Sequence, residues 1–463
     1  MKVLHDLLKG IKGISTNSKE IGEDYIFVAI KGTNLDGHDF IQEALSRGAK
    51  WVLVERNSIE DLRVVKVEDT KIALGELANL FYGEPSKKLK VIGITGTNGK
   101  TTSSHIVEAM LNTAGIKTGL IGTIYYRLGD KIYEYEGRTT PEPIKWHSTL
   151  RTMQEEGAQA VVCEVSSHAL DQRRVWGTSF HTVAFTNLSQ DHLDYHGSME
   201  NYFMAKVRLF TDYKYQYALI NADNPWGKRL LKMIKRAWTY GREGDLRILD
   251  FSTGLDGSTL RVEYEGKEYT FYSSLRGGFQ AYNLSLGILL GFLWGLSAEA
   301  IQEGLKGVYV PGRFETYEGR GFMVVVDYAH TPDALEKVLK TAKALSKNRL
   351  IVVFGAGGNR DKTKRPLMGK VAEALADVVV ITSDNPRFED PRAIIEDILS
   401  GIQSKEKLFI EPDRKKAIEI AISLAQEGDV VVVAGKGHED YQEIRGVKYP
   451  FKDSQVVKEV LGV

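Results

Sequence analysis

Lys100-Thr101-Thr102 sits directly behind Gly96-Thr97-Asn98-Gly99, and this combination suits phosphate. Gly96 and Gly99 remove side chains where backbone N–H groups would approach phosphate oxygens, and a helix starting at Lys100 would add its N-terminal partial positive charge. Lys100 can reach the outer phosphates and Thr101 can place a hydroxyl on Mg²⁺. The strict phosphate-loop spacing would put a glycine where this chain has Ile94, so the loop is a variant. A glycine turn that bound nothing would have no need of a lysine and two threonines. Such a site names no reaction, because kinases, motors and ligases all use one.

Two further runs end in polar residues. Ala160-Val161-Val162-Cys163-Glu164 leads into Ser166, Ser167 and His168, and Thr182-Val183-Ala184-Phe185 leads into Asn187, Asp191 and His192. In an open parallel sheet such strand ends line one crevice. Glu164 offers the oxygen that Mg²⁺ prefers, with one imidazole as an addition. His168, His192 and His196 could instead be a zinc set, but no thiolate lies in their loops. Lys206 shares a helical face with Tyr202, Phe203 and Phe210; it is either a snorkelling surface lysine or a buried amine of lowered pKa. Val378 to Ile381 runs into Ser383-Asp384-Asn385-Pro386-Arg387, a turn that raises the question of which anion Arg387 meets.

The elements that must position these residues alternate strand, loop and helix, which predicts α/β domains with mainly parallel sheets. Residues 1–88 form one expected unit, with strands at Tyr25 to Ile30 and Trp51 to Glu55 and a helix from Phe40 to Arg47 that stops at Gly48. Tyr82 to Lys90 reads as a linker. A second unit, 89–312, carries the phosphate loop and, late in its course, an antiparallel insertion of period-two residues from Leu249 to Leu275. A third, 313–463, has four strand-like runs, at 323–329, 349–356, 377–383 and 429–435.

The totals fit this plan. A chain of 463 residues can bury two or three cores. Lys+Arg and Asp+Glu both number 61, so no overall field draws the chain to nucleic acid or anionic membrane. The single cysteine, Cys163, excludes an internal disulfide framework and fits a reducing cytosol, and its apolar neighbours make it a buried small hydrophobe. The charged N-terminus does not read as a signal peptide, and no apolar run is long enough for a bilayer. The expectation is a cytoplasmic monomer with no membrane insertion.

Across essentially its whole length the sequence resembles the Mur ligases, ATP-dependent amide-bond synthetases of peptidoglycan assembly. The resemblance is carried by TGTNGKTT (95–102), EVSSHALDQRR (164–174), FTNLSQDHLDYHG (185–197), VVDYAHTPDAL (325–335), FGAGGNRDKTKRPLMG (354–369), SDNPRFEDPR (383–392) and AGKGHEDYQ (434–442). It implies three domains: an N-terminal α/β domain for the UDP end, a central phosphate-loop ATPase and a Rossmann-like C-terminal domain. It implies ATP and Mg²⁺, with a carboxylate phosphorylated to an acyl phosphate that an amine then displaces. Gly96, Thr97, Asn98, Gly99, Lys100, Thr101 and Thr102 would hold the ATP phosphates. Asn283 would approach adenine, and Arg313 and Asp327 would reach the nucleotide from the third domain. Thr101 and Glu164 would hold one Mg²⁺ and His192 a second. Lys206 matches the family's carbamylated lysine, an anion that could orient the second metal. Lys100, Lys206, His192 and Glu164 form the expected catalytic set. Thr139, Thr140, Ser166, Gln172 and Arg174 would hold the UDP-N-acetylmuramoyl-L-Ala-D-Glu partner, with Ser18 at its uridine end. Arg138 and the Asn17-Ser18-Lys19 run depart from the common family pattern and bear on recognition of that end.

Three strand ends of the third unit should bring Arg360, Asp384, Asn385, Pro386, Arg387, Gly435 and Glu439 to one crevice. Guanidinium for carboxylate and carboxylate for ammonium suit an amino acid. A planar fork at Arg387 favours meso-diaminopimelate, which has a second α-carboxylate beside its distal amine, over L-lysine, which has none. Glu439 would take the distal ammonium. Otherwise Arg387 would form a surface pair with Glu389 or Asp390. The rivals are a lysine-adding ligase, a folylpolyglutamate synthetase-like ligase, and a phosphate-loop motor or switch. Closure of the third domain is expected to bring Arg313, Asp327 and Arg360 to the central site.

Overall fold

The computed structural model describes residues 2–32, 35–56, 59–254 and 256–463, without the side chains of residues 2 and 3. The chain divides into two compact units. One comprises Met1–Thr95, Ile116–Ala184 and Ala205–Ala218; the other comprises Gly96–Gly115, Phe185–Met204 and Leu219–Val463.

In the first unit a parallel four-stranded sheet runs in the order Gly13–Ser15, Tyr25–Val28, Ala49–Val54, Val64–Lys66. Its strands are apolar on both faces because both are covered. Ile26, Val28 and Leu53 pack with Leu74 and Leu77, whereas Phe27, Val52 and Val54 pack with Ile41 and Ala44. The expected helix is a 3₁₀ turn, Gly37–Phe40, followed by an α-helix, Ile41–Ser46. Gly48 lies just beyond it at φ +99°, a conformation that favours glycine. The expected linker is packed rather than loose. Pro85–Lys87 forms a 3₁₀ turn, Pro85 and Ser86 are buried, and the Ser86 hydroxyl accepts from Ser179 N at 3.1 Å. Beyond it, Lys90–Thr95, Ala160–Glu164 and Thr118–Ile121 form parallel neighbours, and an antiparallel hairpin, Tyr126–Leu128 and Lys131–Tyr133, extends the edge. Cys163 is fully buried on this sheet.

In the second unit Lys100–Thr113 is helical and packs against Gln280–Leu293 and Ala298–Lys306. Glycines permit the approach: a Cβ on Gly287 would lie 2.5 Å from the Ile106 side chain, and one on Gly304 2.5 Å from the Met110 backbone. The antiparallel insertion is present as Leu246–Gly254, Gly257–Tyr264 and Lys267–Ser273, with Leu255 outside the described residues. The C-terminal sheet runs Glu315–Glu318, Met323–Asp327, Val430–Ala434, Leu350–Phe354, Val378–Ile381, Leu408–Ile410. All its pairings are parallel except the first. Alternate residues enter two cores, with Val325, Val352 and Val432 on one face and Val324, Val353 and Val433 on the other. Four strands therefore end side by side at Asp327, Phe354, Ile381 and Ala434. A separate hairpin, Tyr441–Ile444 and Val447–Pro450, follows.

Candidate functional site

The phosphate loop is shaped by close backbone approach. Gly96 has φ +146° and an added Cβ would stand 1.8 Å from Thr186 Oγ1; Gly99 has φ +88° and a Cβ there would meet Asn283 Oδ1 at 2.4 Å. Neighbouring polar groups fix the turn. Asn98 N donates to Asn187 Oδ1 at 3.0 Å, and the Asn98 carbonyl accepts from Thr186 Oγ1 at 2.7 Å and Asn187 Nδ2 at 3.0 Å. Lys100 Nζ lies over the loop and donates to the Gly96 and Thr97 carbonyls, both at 2.9 Å.

Six residues expected at the nucleotide, Asn98, Gly99, Thr102, Asn283, Arg313 and Asp327, line a single cavity of about 490 Å³. Arg313 donates to Thr101 Oγ1 at 3.2 Å and stacks its guanidinium 4.4 Å from the Tyr328 ring centre. Asp327 accepts from Phe314 N and Ala329 N, both at 2.7 Å, and burial raises its carboxyl pKa against the pull of Arg313. Two of the three residues expected to arrive by closure thus face the loop. The third, Arg360, is exposed and donates to the Asn359 carbonyl at 3.2 Å. Tyr282, which donates to Asp223 at 2.9 Å, also lines the cavity and was not anticipated by the sequence reasoning.

A charged cluster adjoins the loop that carries His192. The buried Asp191 lies 3.3 Å from His192 Nε2, 3.5 Å from Lys364 Nζ and 3.8 Å from His330 Nε2. Burial opposes ionisation of Asp191, but His192 and Lys364 hold its carboxyl well below the usual range. Burial and Lys364 bring His330 down to about 4. Gln190 donates to Thr363 Oγ1 at 2.8 Å.

In the first unit the expected dipeptide residues form one network. Thr140 Oγ1 donates to the Glu164 carbonyl at 2.8 Å and accepts from Ser166 N at 3.1 Å. Arg174 donates to the Thr140 carbonyl at 3.1 Å and to Gln172 Oε1 at 2.7 Å. Thr139 Oγ1 is 3.1 Å from Thr123 Oγ1, which itself donates to Glu164 Oε2 at 2.8 Å. Glu164 is fully buried, and a Cβ on Gly122 would come within 2.4 Å of its Oε1. Ser18 donates to Glu43 at 2.8 Å. Lys206, in the helix Met199–Thr211, is 2% exposed, which removes the snorkelling surface reading. Among the described residues no group of three or more His, Cys, Asp or Glu is placed to hold a metal. Taken by type, the Glu164 carboxylate and the Thr101 hydroxyl are hard oxygen donors of the kind Mg²⁺ takes, one or two from protein with phosphate and water completing its shell.

The three strand ends of the C-terminal sheet converge as expected. Asn385 Nδ2 donates to Glu439 Oε2 at 3.0 Å, and the Gly435 backbone, at φ +117°, leaves room for Asp384: a Cβ there would meet Asp384 Oδ2 at 2.6 Å. Close approach of Gly358 to Pro386 O, 1.9 Å from a would-be Cβ, seats the Asn-Pro-Arg turn. The centre of the cluster is Lys436, which sequence reasoning missed. It is fully buried, 2.9 Å from Asn385 Oδ1, 3.0 Å from Glu439 Oε2 and 3.6 Å from Asp384 Oδ1. Burial pushes Asp384 up, but Lys436 and Arg414 outweigh it and hold the carboxyl below its ordinary value. Burial keeps Glu439 above its ordinary value despite Lys436. Arg387 does not pair with Glu389 or Asp390. Its Nε donates to Glu443 Oε2 at 3.2 Å and its Nη1 to the Gly358 carbonyl at 2.8 Å. Glu389 is instead bound by the fully buried Arg365 at 3.0 Å.

Three family descriptions match consecutive stretches of the chain: the Mur ligase family catalytic domain at residues 10–82, the Mur ligase middle domain at 94–291, and the Mur ligase glutamate ligase domain at 312–437. The chain belongs to the Mur ligase family and, with it, to the acid–amino acid ligases. A relative from Aquifex aeolicus (strain VF5), the UDP-N-acetylmuramoyl-L-alanyl-D-glutamate--2,6-diaminopimelate ligase, is 59% identical over 98% of this chain and 95% of its own length. The Clostridium perfringens protein of the same name is 41% identical over 99% and 97%. A solved structure of a ligase of that name superposes with a TM-score of 0.71 at 33% identity, covering 98% of this chain and 95% of the other. A folylpolyglutamate synthase from Mycobacterium tuberculosis shares the fold at 19% identity and TM-score 0.64, over 79% of this chain and 92% of its own.

Proposed function

We propose that this chain uses ATP to join meso-diaminopimelate to UDP-N-acetylmuramoyl-L-Ala-D-Glu, a cytoplasmic step in building peptidoglycan. The observation that carries this reading is the C-terminal crevice, where Asp384, Asn385 and Glu439 meet around Lys436 and Arg387, two residues past Asn385, is held by Glu443 and the Gly358 carbonyl. Its mixture of guanidinium and carboxylates suits an amino acid with a zwitterionic far end, and the names of the relatives agree.

The reaction starts from a carboxylate, which is a poor electrophile. The D-Glu γ-carboxylate oxygen attacks the γ-phosphorus of ATP, the bond to the β-phosphate oxygen breaks, and ADP leaves. The amine then adds to the acyl carbon, loses a proton, and inorganic phosphate departs as the amide forms. The chain's task is to hold anions together that repel each other. Gly96 to Thr102 supply backbone N–H groups and the Lys100 ammonium, which would exchange its loop carbonyls for phosphate oxygens. Arg313 and Asp327 would fix the nucleotide from the C-terminal part of the chain. Thr140, Ser166, Gln172 and Arg174 would orient the dipeptide, with Ser18 at the uridine end. Thr101 and Glu164 would hold one magnesium and His192 a second, and bound magnesium offsets phosphate charge. A carbamate on the buried Lys206 would turn a cation into an anion and so help orient that second metal.

Incubation of the protein with muramoyl dipeptide, ATP, Mg²⁺ and an equimolar mixture of diaminopimelate, lysine and glutamate tests the reading. The expected product has the mass of the diaminopimelate adduct, with one ADP per amide. A lysine or glutamate adduct in excess, or ATP hydrolysis indifferent to dipeptide and amino acid, would overturn it.

A further inference from the structure

We infer that Glu443, on the hairpin beyond the C-terminal sheet, is a positioning residue for selection of the amino acid; this rests on the reading of Arg387 and Asn385 given above. Glu443 touches both residues through three of its own groups. Its N–H donates to Asn385 Oδ1 at 2.9 Å, its carbonyl accepts from Arg387 N at 3.0 Å, and its carboxylate accepts from Arg387 Nε at 3.2 Å. On either side, Gln442 Nε2 donates to the Asp384 carbonyl at 2.7 Å and Arg445 N to the Arg387 carbonyl at 2.7 Å. The strand Tyr441–Ile444 is thus laced along the Asp384–Arg387 turn, with a parallel bridge between Arg387 and Ile444.

The turn needs this support. Arg387 has φ +52°, a left-handed conformation that strains a non-glycine residue. Its long side chain would otherwise sample many rotamers. With Nε held by Glu443 and Nη1 by the Gly358 carbonyl, the guanidinium plane is fixed, and Nη2 has no hydrogen-bond partner among the described residues. A second carboxylate on the amino acid would meet that edge. Arg387 and Glu443 are 17% and 22% exposed, so the pair is partly desolvated yet reachable. Glu443 also supplies a negative charge that could compete with the substrate carboxylate, so the sign of its effect is informative.

The test is steady-state kinetics of the full chain and its Glu443→Ala, Glu443→Gln and Glu443→Asp variants with diaminopimelate and, separately, lysine. Alanine should raise KM for diaminopimelate roughly tenfold, the scale of a misaligned contact group. Glutamine, which still accepts from Nε, should recover most of that loss. KM for lysine, ATP and dipeptide should stay put, because none of them meets Arg387. Aspartate, one methylene shorter, should fall between and serves if alanine does not fold. An unchanged or lower KM for diaminopimelate in the alanine or aspartate variant overturns the inference, as does a parallel rise for all substrates. In either case a wild type that still prefers diaminopimelate leaves the parent reading standing. If the wild type does not use diaminopimelate, both fall.

Discussion

The loop at Gly96–Thr102 and the crevice at Asp384–Glu439 are both built at the ends of parallel strands, yet they are specified differently. The loop is made of backbone: its shape depends on two glycines whose Cβ atoms would collide with Thr186 and Asn283. The crevice is made of side chains from three strand ends and a hairpin, centred on a buried lysine. A backbone-defined site suits the part of a reaction shared with every phosphate-loop enzyme. A side-chain-defined one can be retuned residue by residue, and so suits the choice of amino acid.

The two ends should break in different ways. Gly96→Ala puts a methyl 1.8 Å from Thr186 Oγ1 at a left-handed φ, and Lys100→Ala removes the ammonium proposed to meet phosphate. Each should lower ligation by on the order of a hundred- to a thousandfold with any amino acid, measured as ADP release. At the crevice the largest structural effect belongs to Arg414 and Asp453, an ion pair at 2.7 Å with both side chains fully buried. Arg414 also donates to the Ser383 and Ala434 carbonyls and so ties two of the strand ends together. Asp453→Ala should destabilise the protein by about 3–5 kcal/mol, because a buried guanidinium loses its counter-ion. Urea unfolding would measure it.

Away from both ends, the fully buried His147 donates from Nε2 to the Trp176 carbonyl, 2.8 Å away, and burial brings its pKa down to about 4. Between its ordinary value near 6.5 and about 4 the unfolded chain binds the extra proton. Stability therefore rises with pH across that window and falls on acidification. Acidifying from pH 7 to 5 should cost about 2 kcal/mol through this one group. His147→Gln should flatten the slope by that amount in denaturant titrations while leaving amino-acid preference alone.

The sequence made the loop legible because all its determinants are contiguous: strand, glycines, Lys100, Thr101 and helix follow one another. The C-terminal strands were legible for the same reason, since Val430 to Ala434 is an unbroken apolar run with both faces covered. The crevice was only half legible. Asp384, Asn385, Arg387 and Glu439 could be picked out by type, but Lys436 and Glu443 act on partners 51 and 56 residues away. A lysine flanked by Gly435 and Gly437 at the end of a buried strand was an available signal. The hairpin was harder, because one strand is exposed, the other only half-buried, and their meaning lies in contacts with another loop. Arg387 was expected to find either a ligand or a neighbour such as Glu389; the neighbour it takes is Glu443, while Arg365 claims Glu389.

The central claim is that a fixed guanidinium selects a doubly carboxylated amino acid. The most direct measurement is the ratio of kcat/KM for meso-diaminopimelate to that for L-lysine, in the wild type and in Arg387→Ala. The account predicts a strong wild-type preference for diaminopimelate that drops about a hundredfold in the variant. A ratio that Arg387→Ala leaves intact, or a wild type that favours lysine, would contradict it.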